Sequence, residues 1–176
     1  MNFPKWIHFN GFIAIAFFIL FAFQLYVILP FQENLISWGV YSGTLIFLPH
    51  GIRIFAVMTG GWKAAIGLYV GHLVSGYYLS DMTTLQIFIQ GLLSVLAVYL
   101  PYYLFNLKEV NLKNILLLAA LSSFLNSEFQ TIYLSFSLIN QNVYLIFSYL
   151  IGDIVGSVFC LYLLKYLRYF LPKFIT

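Results

Sequence analysis

An all-α, polytopic membrane helix bundle is the fold class that this sequence predicts, on three observations. Of 176 residues, 62% are hydrophobic and 7% charged, well outside the composition of soluble globular chains. The apolar residues gather into six runs, each near the ~20 residues a helix needs to cross a hydrocarbon layer about 30 Å thick. None of the runs alternates residue by residue as barrel strands do, which leaves the α-helix to satisfy every backbone group in lipid. One integral membrane domain over residues 1–176 is expected, with no segment left for a soluble domain.

The first run, Phe9 to Leu29, follows Lys5 and exceeds the roughly 7 to 15 residue core of a signal peptide. It also lacks a small-x-small cleavage pattern, so it reads as a retained span. Further spans are expected near 36–58, 62–79, 83–105, 114–138 and 143–170. Short turn-forming connections separate them: PFQEN, TGG, SD, NLKEVNLK and INQN. With the N-terminus in the cytoplasm, Lys5, Arg53, Lys63, Lys108, Lys113, Lys165, Arg168 and Lys173 all fall on or toward one side. Glu33, Asp81 and the turn Asn140, Gln141, Asn142 fall on the other, so charge favours six spans with both termini cytoplasmic. The pairs Tyr77 and Tyr78, Tyr102 and Tyr103, and Tyr166 and Tyr169 stand at span edges, where amphipathic rings favour the interface.

Polar groups deep in the spans are the candidate functional residues. Asp153 lies ten residues below Val143, and His72 ten from Trp62, which is about 15 Å at 1.5 Å per residue and close to mid-bilayer. Glu128 lies about 21 Å from Asn114, and Arg53 about 25 Å from Ile36, with His50 between these levels. Such groups cost several kcal/mol when they face lipid, so they turn inward and pair, as structural tethers or as a ligand or proton site. Asp153 is the strongest candidate, with Arg53 or His72 as its expected partner. Arg53 alternatively snorkels to the cytoplasmic headgroups.

In the stretch LPHGIRIFA, Pro49 removes a backbone hydrogen bond and Gly51 relaxes the chain beside it, so a kink or interruption of the second span is expected. A broken helix is one way membrane proteins set free backbone groups around a site. Small residues recur every fourth position at Gly67, Gly71 and Ser75, and at Ser148, Gly152, Gly156 and Cys160. Each stripe marks one helix face for close packing. The fifth span carries Ser122, Asn126 and Gln130 on one face and Glu128 about 200° from Asn126, so it is expected to be buried on both sides or to touch another subunit.

Several classes are excluded. The single cysteine, Cys160, rules out an internal disulfide and cysteine metal clusters. No nucleophile elbow, zinc helix, phosphate loop or dinucleotide fingerprint is present, so no enzymatic activity is expected. The net charge of +3 reflects orientation and not nucleic-acid binding. A lone histidine such as His50 or His72 can ligate a haem, but no paired-histidine pattern supports one, and the cofactor is left unknown.

Three segments, FLPHGIRIFAVMTGGWKAAIGLYVGHLVSG, NLKNILLLAALSSFLNS and YLIGDIVGSVFCLYLLK, together resemble the bacterial membrane-associated sensor domain of the first type, the MASE family. The residues that carry the resemblance are Pro49 and Gly51 of a Pro-x-Gly element and Gly152, Asp153 and Gly156 of a Gly-Asp-x-x-Gly element. The family usually has more spans and a cytoplasmic output domain. The resemblance therefore implies a multi-pass sensory protein of a bacterial inner membrane whose signal is relayed by a membrane or cytoplasmic protein partner. Other classes that fit the sequence are a substrate-binding subunit of a vitamin-type importer and a structural or cofactor-associated subunit of a larger membrane complex. Oligomerisation is compatible with all of them.

Overall fold

The computed structural model describes residues 5–35, 45–135 and 150–162. Among these the regular structure is entirely helical, with no strand. Helix α1 (Lys5–Phe23) passes through a π-helical turn (Gln24–Ile28) into α2 (Leu29–Leu35). Then come α3 (Leu48–Gly60), a 3-10 turn (Gly61–Ala64), α4 (Ala65–Leu79), α5 (Thr84–Leu104), α6 (Leu112–Ser135) and α7 (Leu150–Tyr162).

Among the described residues, three helical stretches are long and apolar enough to cross a membrane: Lys5–Asn34, Leu48–Leu79 and Thr84–Leu104. The 32 residues of the second would measure about 48 Å if straight, too long for one crossing. Its contacts show that it folds back on itself. Along α3, Gly60 lies against Phe9, Arg53 against Phe17 and Leu48 against Gln24, so α3 runs opposite to α1. Along α4, Gly67 lies against Asn10 and Gly71 against Ala14 and Phe17, so α4 runs with α1. The reversal is made at Gly61, whose φ of +53° is cheap only for glycine, and it falls at the expected TGG connection. Gly76 against Ile87, and Gly91 against Tyr69, set α5 opposite to α4. The loop at residues 105–111 then leads into α6.

Two expectations need correction. The PFQEN segment continues the first helix as part of α2 and does not form a turn. The π turn before it is the reason: Leu29 N–H reaches back five residues to the Gln24 carbonyl, and Pro30, which has no N–H to place, sits in the first turn of α2. Tyr102 turns into the core at 7% exposure and does not project from the bundle, whereas Tyr77 and Tyr78 are exposed. The INQN turn, Tyr166, Tyr169, the start of the second expected span and both ends of the sixth lie outside the described residues.

Helix α3 is the centre of the bundle. Ten of its 13 residues are buried, which requires neighbours on every side. Its apolar residues Ile52, Ile54 and Val57 join Phe17 of α1, Val98 of α5 and Leu118 of α6 in one core. Large exposed side chains such as Ile15, Ile19, Leu92, Phe124 and Phe159 lie on the outer helices, the distribution of a bundle whose solvent is hydrocarbon.

Candidate polar site at the start of α3

The site is built on the first turn of α3. Phe47, with φ −117° and ψ 89°, is not helical, and Pro49 occupies the opening turn, where a missing N–H costs nothing. Proline therefore starts a helix here and does not kink one. The donors around this start have partners on three other elements. Leu48 N–H donates to Gln24 Oε1 in the π turn (3.2 Å), Phe47 N–H to the Gly152 carbonyl of α7 (2.8 Å), and Leu45 N–H to Gln32 Oε1 of α2 (2.9 Å). At 13 residues α3 spans about 20 Å, and its first residues, Leu48 to Arg53, are all buried, so its positive N-terminal end lies within the bundle.

Glycine makes this junction possible. A Cβ on Gly156 would collide with the Phe47 backbone, and one on Gly51 would collide with the Cys160 side chain. Backbone thus packs against backbone where α7 meets α3, and Asp153 is delivered one turn from that contact. The other small-residue stripe, Gly67 and Gly71, faces Asn10 and Ala14 of α1. The two stripes therefore serve different helix pairs.

His50, Arg53, Asn126 and Asp153, all expected from the sequence, converge at this junction at 0%, 4%, 5% and 1% exposure. Arg53 Nη1 lies 3.2 Å from His50 Nδ1, and Asp153 Oδ2 lies 3.3 Å from that same nitrogen. On the far side of the ring, His50 Nε2 is 2.9 Å from Ser122 Oγ and 3.5 Å from Ser123 Oγ. Asn126 Nδ2 donates to Asp153 Oδ2 (2.8 Å), and Ser157 Oγ donates to the Asp153 carbonyl (2.6 Å). The guanidinium also stacks over Phe17 and Phe47, 5.6 and 5.5 Å from their ring centres, a favourable setting for a desolvated cation.

One nitrogen thus faces both a cation and a carboxylate, and it cannot serve both in one protonation state. Arg53 only donates, so pairing with it requires a lone pair on Nδ1 and the proton on Nε2. Nε2–H then donates to Ser122 Oγ, whose own O–H donates to the Leu118 carbonyl (2.6 Å), so the ring N–H and the hydroxyl both have acceptors. A proton placed on Nδ1 instead bonds to Asp153 and turns an N–H toward Arg53, which loses its partner. The cluster therefore has two exclusive arrangements, set by whether the ring nitrogen that faces Arg53 and Asp153 carries a proton.

The cluster also has spare capacity. Among the described residues, Asp153 Oδ1, Asn126 Oδ1 and Arg53 Nε are buried without a hydrogen-bond partner, as are Gln24 Nε2 and His72 Nδ1. Buried orphans of this kind are rare and costly, and they concentrate at working sites.

His72 does not join the cluster. It stands on α4, half-buried, with its ring 5.8 Å from Phe17, the aromatic that Arg53 covers from α3. Glu128 is half-buried on α6 outside the network, and the side chain of Gln130 is not among those described. Gln24, Ser123 and Ser157 belong to the site but were not singled out from the sequence. A lone amide in the middle of a 30-residue apolar helix was the available signal for Gln24. Among the described residues no three His, Cys, Asp or Glu side chains converge as a metal site would need. Comparison with protein-family models, curated proteins and solved structures finds no match.

Proposed function

We propose that the chain is an integral membrane sensory domain in which the His50–Arg53–Asp153 cluster receives the signal and α3 carries it to a partner protein at the cytoplasmic face. The observation that carries this proposal is the sharing of His50 Nδ1 between Arg53 and Asp153. A bistable contact on a half-length helix is what a sensor needs, because the input must favour one of two arrangements. The input acts on Asp153 or His50, the Arg53 contact breaks or forms, and α3 moves against α7. The far end of α3 is the Gly61 reversal, which transmits the movement to the surface.

Six crossings with both termini cytoplasmic belong to the same proposal. It is supported by Lys5, Lys63, Lys108 and Lys113, which lie at the α1 start, the Gly61 reversal, the α5–α6 loop and the α6 start, while Glu33, near the end of α2, and Asp81, between α4 and α5, lie at the opposite helix ends. Tyr99 donates to the Gly61 carbonyl (2.7 Å), tying the end of α5 to that reversal.

The test uses the protein in lipid nanodiscs with spin labels at the cytoplasmic ends of α3 and α5. A step from about pH 8 to about pH 5 changes the charge that the cluster carries and so favours one of its two arrangements. The distance distribution is expected to shift in the wild type and to stay fixed in Asp153→Asn, which inserts normally. A shift of the same size in Asp153→Asn, or none in either protein, excludes the cluster as the receiver.

A further inference from the structure

A second feature lies at the other end of α3 and takes no part in the polar cluster. The sequence carries the dipeptide Lys5–Trp6 at the start of α1 and its reverse, Trp62–Lys63, in the 3-10 turn. A single amide brings them face to face. Asn10 Nδ2 donates to the Trp6 carbonyl and to the Lys63 carbonyl, both at 2.8 Å, and Asn10 Oδ1 accepts Gly67 N–H at 2.5 Å. Asn10 is 7% exposed, so the clamp is internal. Gly60 adds to it, because a Cβ there would strike the Phe9 ring.

Between the dipeptides is an open cleft of about 380 Å³ lined by Lys5, Trp6, Phe9, Thr59, Trp62 and Lys63. No acidic side chain lines it. Trp6 and Trp62 are 47% and 67% exposed, and the Thr59 hydroxyl donates to the Phe55 carbonyl, leaving its lone pairs outward. Two ammonium groups on one cleft with no acidic side chain beside them favour an anion, and two large amphipathic rings favour a place between water and hydrocarbon. Both demands are met at once by the headgroup of an anionic lipid.

We infer that this cleft binds the phosphate headgroup of an anionic membrane phospholipid of the phosphatidylglycerol class, with Lys5 and Lys63 clamping the phosphate and Trp6 and Trp62 seated at the glycerol level. The inference depends on the chain being embedded in a bilayer, as its long apolar helices indicate, and not on the sensory proposal. Binding at this corner ties α1 to the Gly61 reversal, since one lysine comes from each.

The experiment uses the purified full chain in neutral detergent with Trp38→Phe, which leaves Trp6 and Trp62 as the only indoles, of three in the sequence. Short-chain phosphatidylglycerol, short-chain phosphatidylcholine and glycerol phosphate are titrated against tryptophan emission. A saturable change is expected with phosphatidylglycerol alone. Lys5→Gln with Lys63→Gln weakens it by about 30-fold, whereas Lys108→Gln with Lys113→Gln, an equal loss of charge at the same end, leaves it within about twofold. Native mass spectrometry of phosphatidylglycerol retained by the chain with Trp38 intact gives the same comparison without the background substitution. Equal binding of phosphatidylcholine, equal binding of glycerol phosphate, no saturable binding, or equal loss in the two lysine pairs overturns the inference.

Discussion

Two buried polar junctions hold this bundle, and they are built on opposite terms. At the α1–α4 corner, Asn10 makes three hydrogen bonds to three backbone groups, and no atom of its amide lacks a partner. At the α3–α6–α7 junction, Arg53, Asn126 and Asp153 each keep an unpaired atom, and His50 faces two partners with one nitrogen. A saturated junction has one arrangement and works as a fastener. An unsaturated one stores free energy that a proton or ligand can release, because each orphan costs about 1–3 kcal/mol until it is paired. The same fold thus separates the part that must not move from the part that can.

The comparison breaks most severely if the backbone contact beneath the second junction is filled. Gly156→Ala is expected to cost about 3 kcal/mol or more, measured by unfolding in mixed micelles, since its methyl meets the Phe47 backbone at the point of closest approach. Gly11→Ala, with nothing within 4 Å, is expected to be neutral or to gain up to about 1 kcal/mol from helix propensity. Equal effects would mean that α3 and α7 do not touch there.

Removing the fastener comes next. Asn10→Ala strands the Gly67 amide and the Lys63 carbonyl and is expected to cost about 2 kcal/mol. Amide exchange at residues 61–67 should rise with it, while exchange at the start of α3 stays unchanged.

A smaller effect sharpens the picture of the second junction. Arg53→Gln and Asp153→Asn each leave a buried charge without its opposite, so each destabilises. The double variant is expected to recover about 1–2 kcal/mol relative to the sum. Additivity within about 0.3 kcal/mol would show that the two charges do not communicate through His50. The smallest effect is Ser122→Ala, expected to cost about 1 kcal/mol in stability and to redistribute the proton between the two ring nitrogens of His50.

The sequence made the second junction legible in part, for a physical reason. Charged and imidazole groups cannot be left in hydrocarbon, so Asp153 and His50 could be assigned inward-facing positions from depth alone, whereas Arg53 was equally open to snorkelling. Gly156 was legible as a close-packing residue and the reversal at Gly61 as a turn, while Gly51 reads in the sequence only as a residue that relaxes the chain. What depth could not give was partnership. The simplest expectation paired Asp153 with Arg53 or His72, whereas the carboxylate reaches the imidazole of His50 and the guanidinium reaches the same nitrogen. His72 lies at a similar depth, yet the packing of α4 on α1 sets it against the Phe17 ring and not in the cluster. Asn10 and Gln24 escaped notice because an uncharged amide in an apolar helix resembles tolerated background. Their importance lies in the backbone groups opposite them, which belong to distant parts of the chain. The α2 helix was misread because Pro30 and a polar run look like a turn unless the π turn before them is known.

The central claim is that His50 Nδ1 accepts from Arg53 at rest and turns to Asp153 when protonated. Solid-state nitrogen NMR of the histidine rings, in lipid bilayers, measures this directly. The expected result is a neutral His50 carrying its proton on Nε2, with Arg53→Gln moving the ring toward the Nδ1–H tautomer. A His50 that carries its proton on Nδ1 in the wild type, or whose resonances are unaffected by Arg53→Gln, would contradict the account.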